Sequence, residues 1–426
     1  MPCMEIVSQA ERQRLADLPR AELESWQISK LSQLIEAIAP HNRLYASRLG
    51  SISRPLKSIN DLAAIPPIAK EDLIGEDNFA ANLTWPRERY VRFHRTSGTR
   101  GRPLVVLDTA EDWNWWIATW QFVLDAVGVE AHDRVLFAFS FGPFVGFWSA
   151  FEAVAARGAL VVPSGGLNTL ARLDLIRSSQ ATVLFSTPSY VLHLAEVARE
   201  QKIDPASLGL RRIVVAGEPG GSVPSLRKRI ESTWQAELID HAGATEVGPW
   251  GYSDRERQGL IVNESEFIAE FRSLDRGEPA HDGELAEMML TTLGRAGCPT
   301  IRYRTGDLVR PRFPASGRGF VLLEGGVLGR VDDMFVVRGV NVFPSSIEQI
   351  LRGFAEVAEY RMILFRQGAL DQLAVEVEDE LHQPRRIADE LELRLGFKVD
   401  VREVPHGTLP RFEGKGKRLE DRRGKS

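Results

Sequence analysis

The chain is short of several things that would assign it quickly. Only two of its 426 residues are cysteine, Cys3 and Cys298. That is too few for a disulfide framework, and no CxxC or Cys/His cluster suggests zinc. Basic excess is also missing: 53 Lys and Arg stand against 58 Asp and Glu, a formal net charge of −5. A nucleic-acid or membrane-surface partner would require the opposite sign. Long hydrophobic runs are absent too. The greasiest stretch, "AVAARGALVVP" at 153–163, holds an arginine and falls far short of a membrane span. The opening "MPCMEIVSQAERQRLADL" has acidic residues from Glu5 onward and no apolar core of leader length. The expectation is a cytoplasmic chain with no membrane and no nucleic-acid partner. There is no internal repeat, no low-complexity segment and no GxxxxGK[ST] phosphate loop.

What is present is a 43% hydrophobic chain, ample for a sizeable core, with a strand-and-helix rhythm. Residues 20–50 read as helix, with Trp26, Leu31, Leu34, Ile35 and Ile38 spaced for one face. "RVLFAFSF" (134–141), 159–163, "ATVLFSTP" (181–188) and "RRIVVAGEP" (211–219) read as strands, with helical stretches between them. Val223 to Trp234 is the next helix, and "AELIDHAGATE" (236–246) closes the series. This rhythm predicts parallel βαβ units with helices on both faces, and such sheets take ligands at the carboxyl ends of their strands. From around Leu260 the texture turns to short alternating segments, read as antiparallel strands of a small barrel or twisted sheet. The remainder reads as a compact α+β module. "FVVRGVNVF" (335–343) is a strand, Pro344 to Phe354 a helix and "LAVEVED" (373–379) a strand; a helix over 384–395 and the strand "KVDVREV" follow. The glycine-rich "EGGVLGRVDD" before it suits a hinge. The expected fold is therefore α/β: a large N-terminal domain (1–329, β-rich over 260–329) and a mobile α+β C-terminal domain (330–426).

Five stretches carry chemistry. "FHRTSGTRGRP" (93–103) sets Ser97, Gly98, Thr99 and Gly101 where successive backbone N–H groups can line a concave turn, a nest for phosphate oxygens. The hydroxyls of Thr96, Ser97 and Thr99 add donors, and Arg100 and Arg102 add charge. "HAGATEVG" (241–248) puts Glu246 just past a strand end, where a carboxylate can hold Mg²⁺. "RYRTGD" (302–307) puts Asp307 in a Thr-Gly turn, read either as an Asx-turn or as a grip on two ribose hydroxyls. "GRVDDMFVVRGVNVFPSSIE" (329–348) joins the hinge to the final module, and "LPRFEGKGKR" (409–418) places lysines among glycines. Taken singly, each has a bland reading: a glycine turn, an Asx-turn, a solvated charge.

In this order and spacing the five motifs resemble the adenylate-forming enzymes. "GEP" (217–219), "RYRTGDL", "GRVDDM", "RGVNVFPSSIE" and "LPRFEGKGKR" narrow the resemblance to the phenylacetate–CoA ligase branch. It implies that ATP and a carboxylic acid give an acyl-adenylate and pyrophosphate, after which CoA displaces AMP. Carried over residue by residue, it assigns Thr96 to Pro103 to the triphosphate, with Lys70 of "PIAKEDL" reaching the phosphates. Glu218 and Pro219, with His241 and Ala242, would wall the adenine; Thr245 would bind phosphate and Glu246 the Mg²⁺. Asp307 would take the ribose hydroxyls, with Arg330 near the same ribose. Lys415 would be the mobile lysine that bridges carboxylate and α-phosphate, with Lys417 as its near neighbour. Asp332 would be the hinge, and Arg338 and Gly339 would meet CoA. Phe141, Phe144, Trp148, Gly217, Gly243 and Ala244 would line the acid pocket, whose aromatic character favours an aryl or arylacetic acid. Arg100 and Arg102 depart from the family's usual Thr-Gly-Lys-Pro, and His241 and Ala244 from its Tyr-Gly-Leu-Thr-Glu. His241 is expected to stack on adenine if neutral and to be a cation near phosphates if protonated. A carrier-protein thiol is the alternative acceptor, a non-catalytic nucleotide-binding relative the second alternative, and a homodimer an assembly the resemblance allows.

Overall fold

A computed structural model of the chain describes residues 7–50, 56–75, 78–96, 103–218, 220–338, 340–367, 370–412 and 418–423. The short apolar runs of the first half become the centre of a sheet that has nine strands among these residues. Five of them are parallel, in the order Leu160–Pro163, Arg134–Phe137, Val183–Ser186, Arg212–Val215, Glu237–Ala244. Their crossover helices include Val145–Ala156, Pro188–Glu200 and Pro224–Trp234. The runs are continuously apolar because both faces are covered. Val135, Phe137, Val183, Phe185 and Val214 pack into one core, and Leu136, Leu184, Ile213 and Val215 into another.

At Glu237–Ala244 the sheet changes direction: Gly248–Ser253, Gly259–Val262, Leu322–Glu324 and Pro311–Arg312 continue it antiparallel. The carboxyl ends of the parallel strands, with the Thr245–Val247 turn beyond the last, thus form one rim. The helix Ala110–Val127, started by a capping box between Thr109 and Asp112, packs on the helix Val145–Ala156 and the strand Gly248–Ser253. Trp113, Trp115, Trp116 and Trp120 on this helix are all buried. A separate hairpin, Tyr90–Arg95 with Val105–Thr109, leads into it.

Several boundaries differ from the sequence reading. The 20–50 helix divides into Arg20–Ile38 and Arg43–Arg48, with Pro40 between them lacking the N–H a helix needs. Residues 134–141 are strand only to Phe137. "LIVNESEFIAEF" is not one segment: Gly259–Val262 extends the large sheet. Phe267–Ser273 opens a four-stranded antiparallel sheet with Ala286–Thr292, Tyr303–Val309 and Gly329–Arg330. "FVVRGVNVF" is a hairpin, Phe335–Val337 with Val340–Val342, folding back at Arg338, whose φ is +51°.

The final module pairs Val357–Gln367 antiparallel with Leu370–Asp379, flanked by the parallel strands Leu419–Asp421 and Asp400–Glu403. Helices Pro344–Leu351 and Pro384–Leu395 contribute Ile347, Leu351, Ile387 and Leu391 to its own core with Met362, Leu364, Val375 and Val377. Among the described residues no helix is long and apolar enough to cross a membrane.

Candidate functional site

Thr96 stands at the end of the first hairpin strand and closes the neck of the 97–102 stretch. Its N–H donates to the Leu104 carbonyl at 3.0 Å, and its Oγ1 accepts from the Leu104 N–H at 3.1 Å. Ser97, Gly98, Thr99, Gly101 and the two arginines Arg100 and Arg102 lie outside the described residues, as do Pro219, Gly339, Lys415 and Lys417.

The returning hairpin strand carries Asp108, which is fully buried. Arg295 Nε donates to its Oδ1 at 2.7 Å, and Trp116 Nε1 does so at 3.2 Å. Burial pushes this carboxyl upward, but Arg295 and His94 outweigh that and hold it below the usual carboxylate range. Arg295 Nη1 also donates to the backbone carbonyls of Thr245 and Glu246, at 3.1 and 3.0 Å. One buried guanidinium therefore ties the hairpin behind the phosphate stretch to the turn that carries Glu246. Neither Arg295 nor Asp108 was visible as a site residue in the sequence. They lie 187 positions apart, and neither stands in a recognisable motif.

Glu246 itself is 8% exposed and takes Lys70 at 3.1 Å. Lys70 arrives there because Ile68 docks on the end of the Tyr303 strand: the Ile68 N–H donates to the Arg302 carbonyl at 3.1 Å, and the Arg304 N–H to the Ile68 carbonyl at 2.8 Å. Asp307 is not in a free turn. It lies within the strand Tyr303–Val309 at an irregularity made by Gly306, whose φ is +74°, and its N–H donates to Thr305 Oγ1 at 3.0 Å. A side chain at 306 would be strained there and would meet Arg330 Nη2 at 3.1 Å. Arg330, directly across the ladder, is 3.4 Å from Asp307 and 3.0 Å from Asp332. The phenol of Tyr303, pushed up by burial, also senses Glu246, Arg330 and Asp307, so these charges share one neighbourhood. Among the described residues no cluster of three or more His, Cys, Asp or Glu could cage a metal alone. A buried carboxylate completed by substrate phosphates is one way magnesium is ordinarily held, and Glu246 could supply that donor.

The opposite wall is built on the strand Glu237–Ala244. Ala242 and Ala244 are half-buried and Gly243 is exposed, whereas His241 turns inward. Its ring packs on Trp120 at 4.2 Å between centroids, and its Nδ1 is 2.7 Å from the Gly251 carbonyl. A carbonyl accepts, so Nδ1 carries the proton. Burial pushes the imidazole down to about 4, and the geometry supports the neutral ring rather than a cation. Beside it, burial pushes Asp240 up to about 6, opposed by hydrogen bonds that include Ser222 Oγ at 2.5 Å. Gly217, at φ +90°, turns the chain at the next strand end. Glu218 Oε1 then accepts from the Ser189 N–H at 2.6 Å, capping the helix Pro188–Glu200. Its carboxylate is thus aimed at a helix end rather than at open space.

The aromatic segment follows the strand Arg134–Phe137. Phe137, Phe139 and Val145 are core, while Phe141 and Phe144 are half-buried and Trp148 is 38% exposed. Phe141 meets Trp148 edge-on at 5.1 Å, and Trp148 Nε1 donates to the Gly142 carbonyl at 3.1 Å. Phe141 adopts φ +48°, a conformation that costs a non-glycine residue about 1 kcal/mol or more and clusters at functional sites. At the proposed hinge, Asp332 is exposed in the 3-10 turn Val331–Asp333. Arg338 is held to Gln372 Oε1 at 2.6 Å.

Two family models match the chain: "AMP-binding enzyme" over residues 79–288 and "AMP-binding enzyme C-terminal domain" over 339–423. A phenylacetate–coenzyme A ligase of Pseudomonas putida is 31% identical, with 99% of each chain covered. One of Escherichia coli K12 is 34% identical over 86% of each. Among solved structures, 2-hydroxyisobutyryl-CoA ligase in its postadenylation state superposes with a TM-score of 0.90 at 25% identity, covering 99% of this chain and 95% of that one. The same enzyme in its thioesterification state, with CoA, gives 0.73 at 26% identity, covering 100% and 95%. The whole chain thus superposes better on the former.

Proposed function

The chain belongs to the phenylacetate–CoA ligase family of AMP-forming acid–thiol ligases, and from that premise we propose that it activates an aryl or arylacetic acid and passes it to coenzyme A. In the first step an oxygen of the acid's carboxylate attacks the α-phosphorus of ATP and pyrophosphate leaves. In the second the CoA sulfur attacks the acyl carbon and AMP leaves. Both partners of the first step are anions, so the site must supply positive charge and alignment more than covalent chemistry.

The observation that carries this reading is the convergence of Lys70–Glu246 and Asp307–Arg330 beside the rim of the parallel sheet. Asp307 accepts the two ribose hydroxyls, held in register by Arg330. Thr96 anchors the phosphate stretch, and Thr245 and Lys70 meet the phosphates. Glu246 would hold the magnesium, whose chemistry is to neutralise and orient the triphosphate. Ala242 and Gly243 offer a flat face to the adenine, supported from behind by the neutral His241 ring. Phe141, Phe144, Trp148 and Ala244 give the acid an apolar, aromatic surround, which suits a ring better than a polar chain. Lys415 is assigned the transient bridge between carboxylate and α-phosphate, a task for a compact, flexible charge.

Pyrophosphate release measured over aryl, arylacetic and fatty acids, with and without CoA, tests the reading. We expect pyrophosphate release with aryl acids, and free AMP in equal amount together with thioester only when CoA is present. Release confined to fatty acids would overturn the acid class, and CoA-independent turnover onto another thiol would overturn the acceptor. Lys415→Ala is expected to abolish adenylation while sparing thioester formation from supplied acyl-adenylate; if Lys417→Ala does this instead, the lysine is misassigned.

A further inference from the structure

Arg418 has no role in any reading above, yet it is a buried cation engaged with both domains. Its side chain is 2% exposed. In its own domain it grips Glu359 with two nitrogens, Nε to Oε1 at 2.6 Å and Nη2 to Oε2 at 2.9 Å. Its carbonyl accepts from the Met362 N–H at 2.8 Å, so it is fixed to the edge of the final sheet. Across the interface the same Nη2 reaches Ser189 Oγ at 2.9 Å, and Nη1 lies 3.5 Å from Glu218 Oε2. Ser189 and Glu218 are joined in turn by the 2.6 Å bond from the Ser189 N–H. Arg352 Nη2 at 3.4 Å from Ser189 Oγ and Arg411 at 3.4 Å from Glu196 give the same face lesser contacts.

Two physical points follow. A buried charge is costly to strand, so a fixed interface would gain little from an arginine that already owns a complete partner. Here each side is satisfied alone: Arg418 leaves with Glu359, and Glu218 stays behind on a helix N-terminus that favours its charge. The contact can therefore break without orphaning either ion, as a contact meant to be made and broken requires. It also touches the chemistry at both ends. Glu218 follows the Gly217 turn at the rim, and Arg418 is three residues along the chain from Lys415, a tether of at most about 11 Å.

We propose that Arg418 is a positioning residue for adenylation: a reversible latch that holds the final domain against Ser189 and Glu218 in the arrangement seen here and lets go for thioester formation. This rests on the two-step reading above. The fork of the guanidinium spans Glu359, Ser189 and Glu218 at once, which a lysine cannot do.

The test is Arg418→Gln and Arg418→Lys, assayed as separate half-reactions. Arg418→Gln is expected to slow pyrophosphate release about tenfold or more, the loss of one charged hydrogen-bond set. Thioester formation from supplied acyl-adenylate should stay within about twofold, with Arg418→Lys falling between. Ser189→Ala, which removes one receiving oxygen and no charge, should slow the same half-reaction by a smaller factor. Equal loss in both half-reactions, or loss in neither, with an unchanged unfolding midpoint overturns the latch. A second readout does not need turnover: energy transfer between labels at Ser178→Cys and Leu393→Cys, both exposed, in a Cys3→Ser background. Cys298 is buried, its thiol pushed up to about 12, and does not label. Arg418→Gln should shift the label distance away from the wild-type value, and an unmoved distance counts against the latch. If wild type releases no pyrophosphate with any acid, the two-step reading fails while the label distance still decides the latch.

Discussion

Asp307 shows how one residue's surroundings define its task. It sits where Gly306 breaks the strand's regularity, facing Arg330 at 3.4 Å, so it is aimed by the backbone and paired with a cation across the ladder. We expect Asp307→Ala to weaken ATP binding about ten- to a hundredfold, the range for a lost charged hydrogen bond, with affinity for the acid unchanged in calorimetry. The adjacent Asp240 and His241 make a prediction about pH instead. His241 falls from 6.5 to about 4 on folding, so its contribution to stability is complete above pH 6.5 and is lost as pH falls toward 4. Asp240 rises from 3.8 to about 6, so its contribution is complete below pH 3.8 and is lost as pH rises through 6. Between pH 4 and 6 the two slopes oppose each other. His241→Gln should leave only the Asp240 slope, so acidification from pH 6 to 4 stabilises the variant relative to wild type in urea unfolding. A slope identical to wild type would deny His241 this role.

Elements meet at this site through buried charges as well as through apolar packing. The Tyr90–Arg95 and Val105–Thr109 hairpin and the Thr245–Val247 turn come from distant parts of the chain, and the guanidinium of Arg295 holds them together. Arg295→Met would leave Asp108 buried without its main partner, at a cost of about 3–5 kcal/mol in unfolding free energy. Replacing both, Arg295→Met with Asp108→Leu, should recover much of that stability, since an apolar pair of matched volume can stand in for a buried ion pair. Pyrophosphate release should nevertheless stay depressed in the double variant, because the carbonyls of Thr245 and Glu246 have lost their donor. Full recovery of both would reduce Arg295 to a packing residue.

At the scale of the whole molecule, the proposed two-step reaction asks two domains to serve two geometries at one site. The arrangement here superposes at 0.90 on a relative's postadenylation state and at 0.73 on its thioesterification state, and the chain between the domains passes through the 3-10 turn at Val331–Asp333. Proline at 332 would restrict both its own φ and the helical freedom of Val331. Asp332→Pro is therefore expected to impair one half-reaction at least about tenfold more than the other, in a chain that still unfolds cooperatively. Both steps at normal rates would place the pivot elsewhere.

By itself the sequence determined what depends on local pattern. The apolar runs announced parallel strands because a strand covered on both faces has no polar side, and "GEP", "HAGATE" and "RYRTGD" were legible because their glycines and acids fall at strand ends or strand irregularities. The helix 384–395 was right to the residue, since Pro384 and Gly396 mark its two ends chemically. Tertiary structure alone decided what depends on distant partners. The Asp108–Arg295 strut and the Lys70–Glu246 pair join segments more than a hundred residues apart, and the neutrality of His241 comes from burial against Trp120. The grip of Arg418 on Ser189 and Glu218 likewise exists only once both domains are folded and in contact, because a charge seen in sequence carries no record of what it will face.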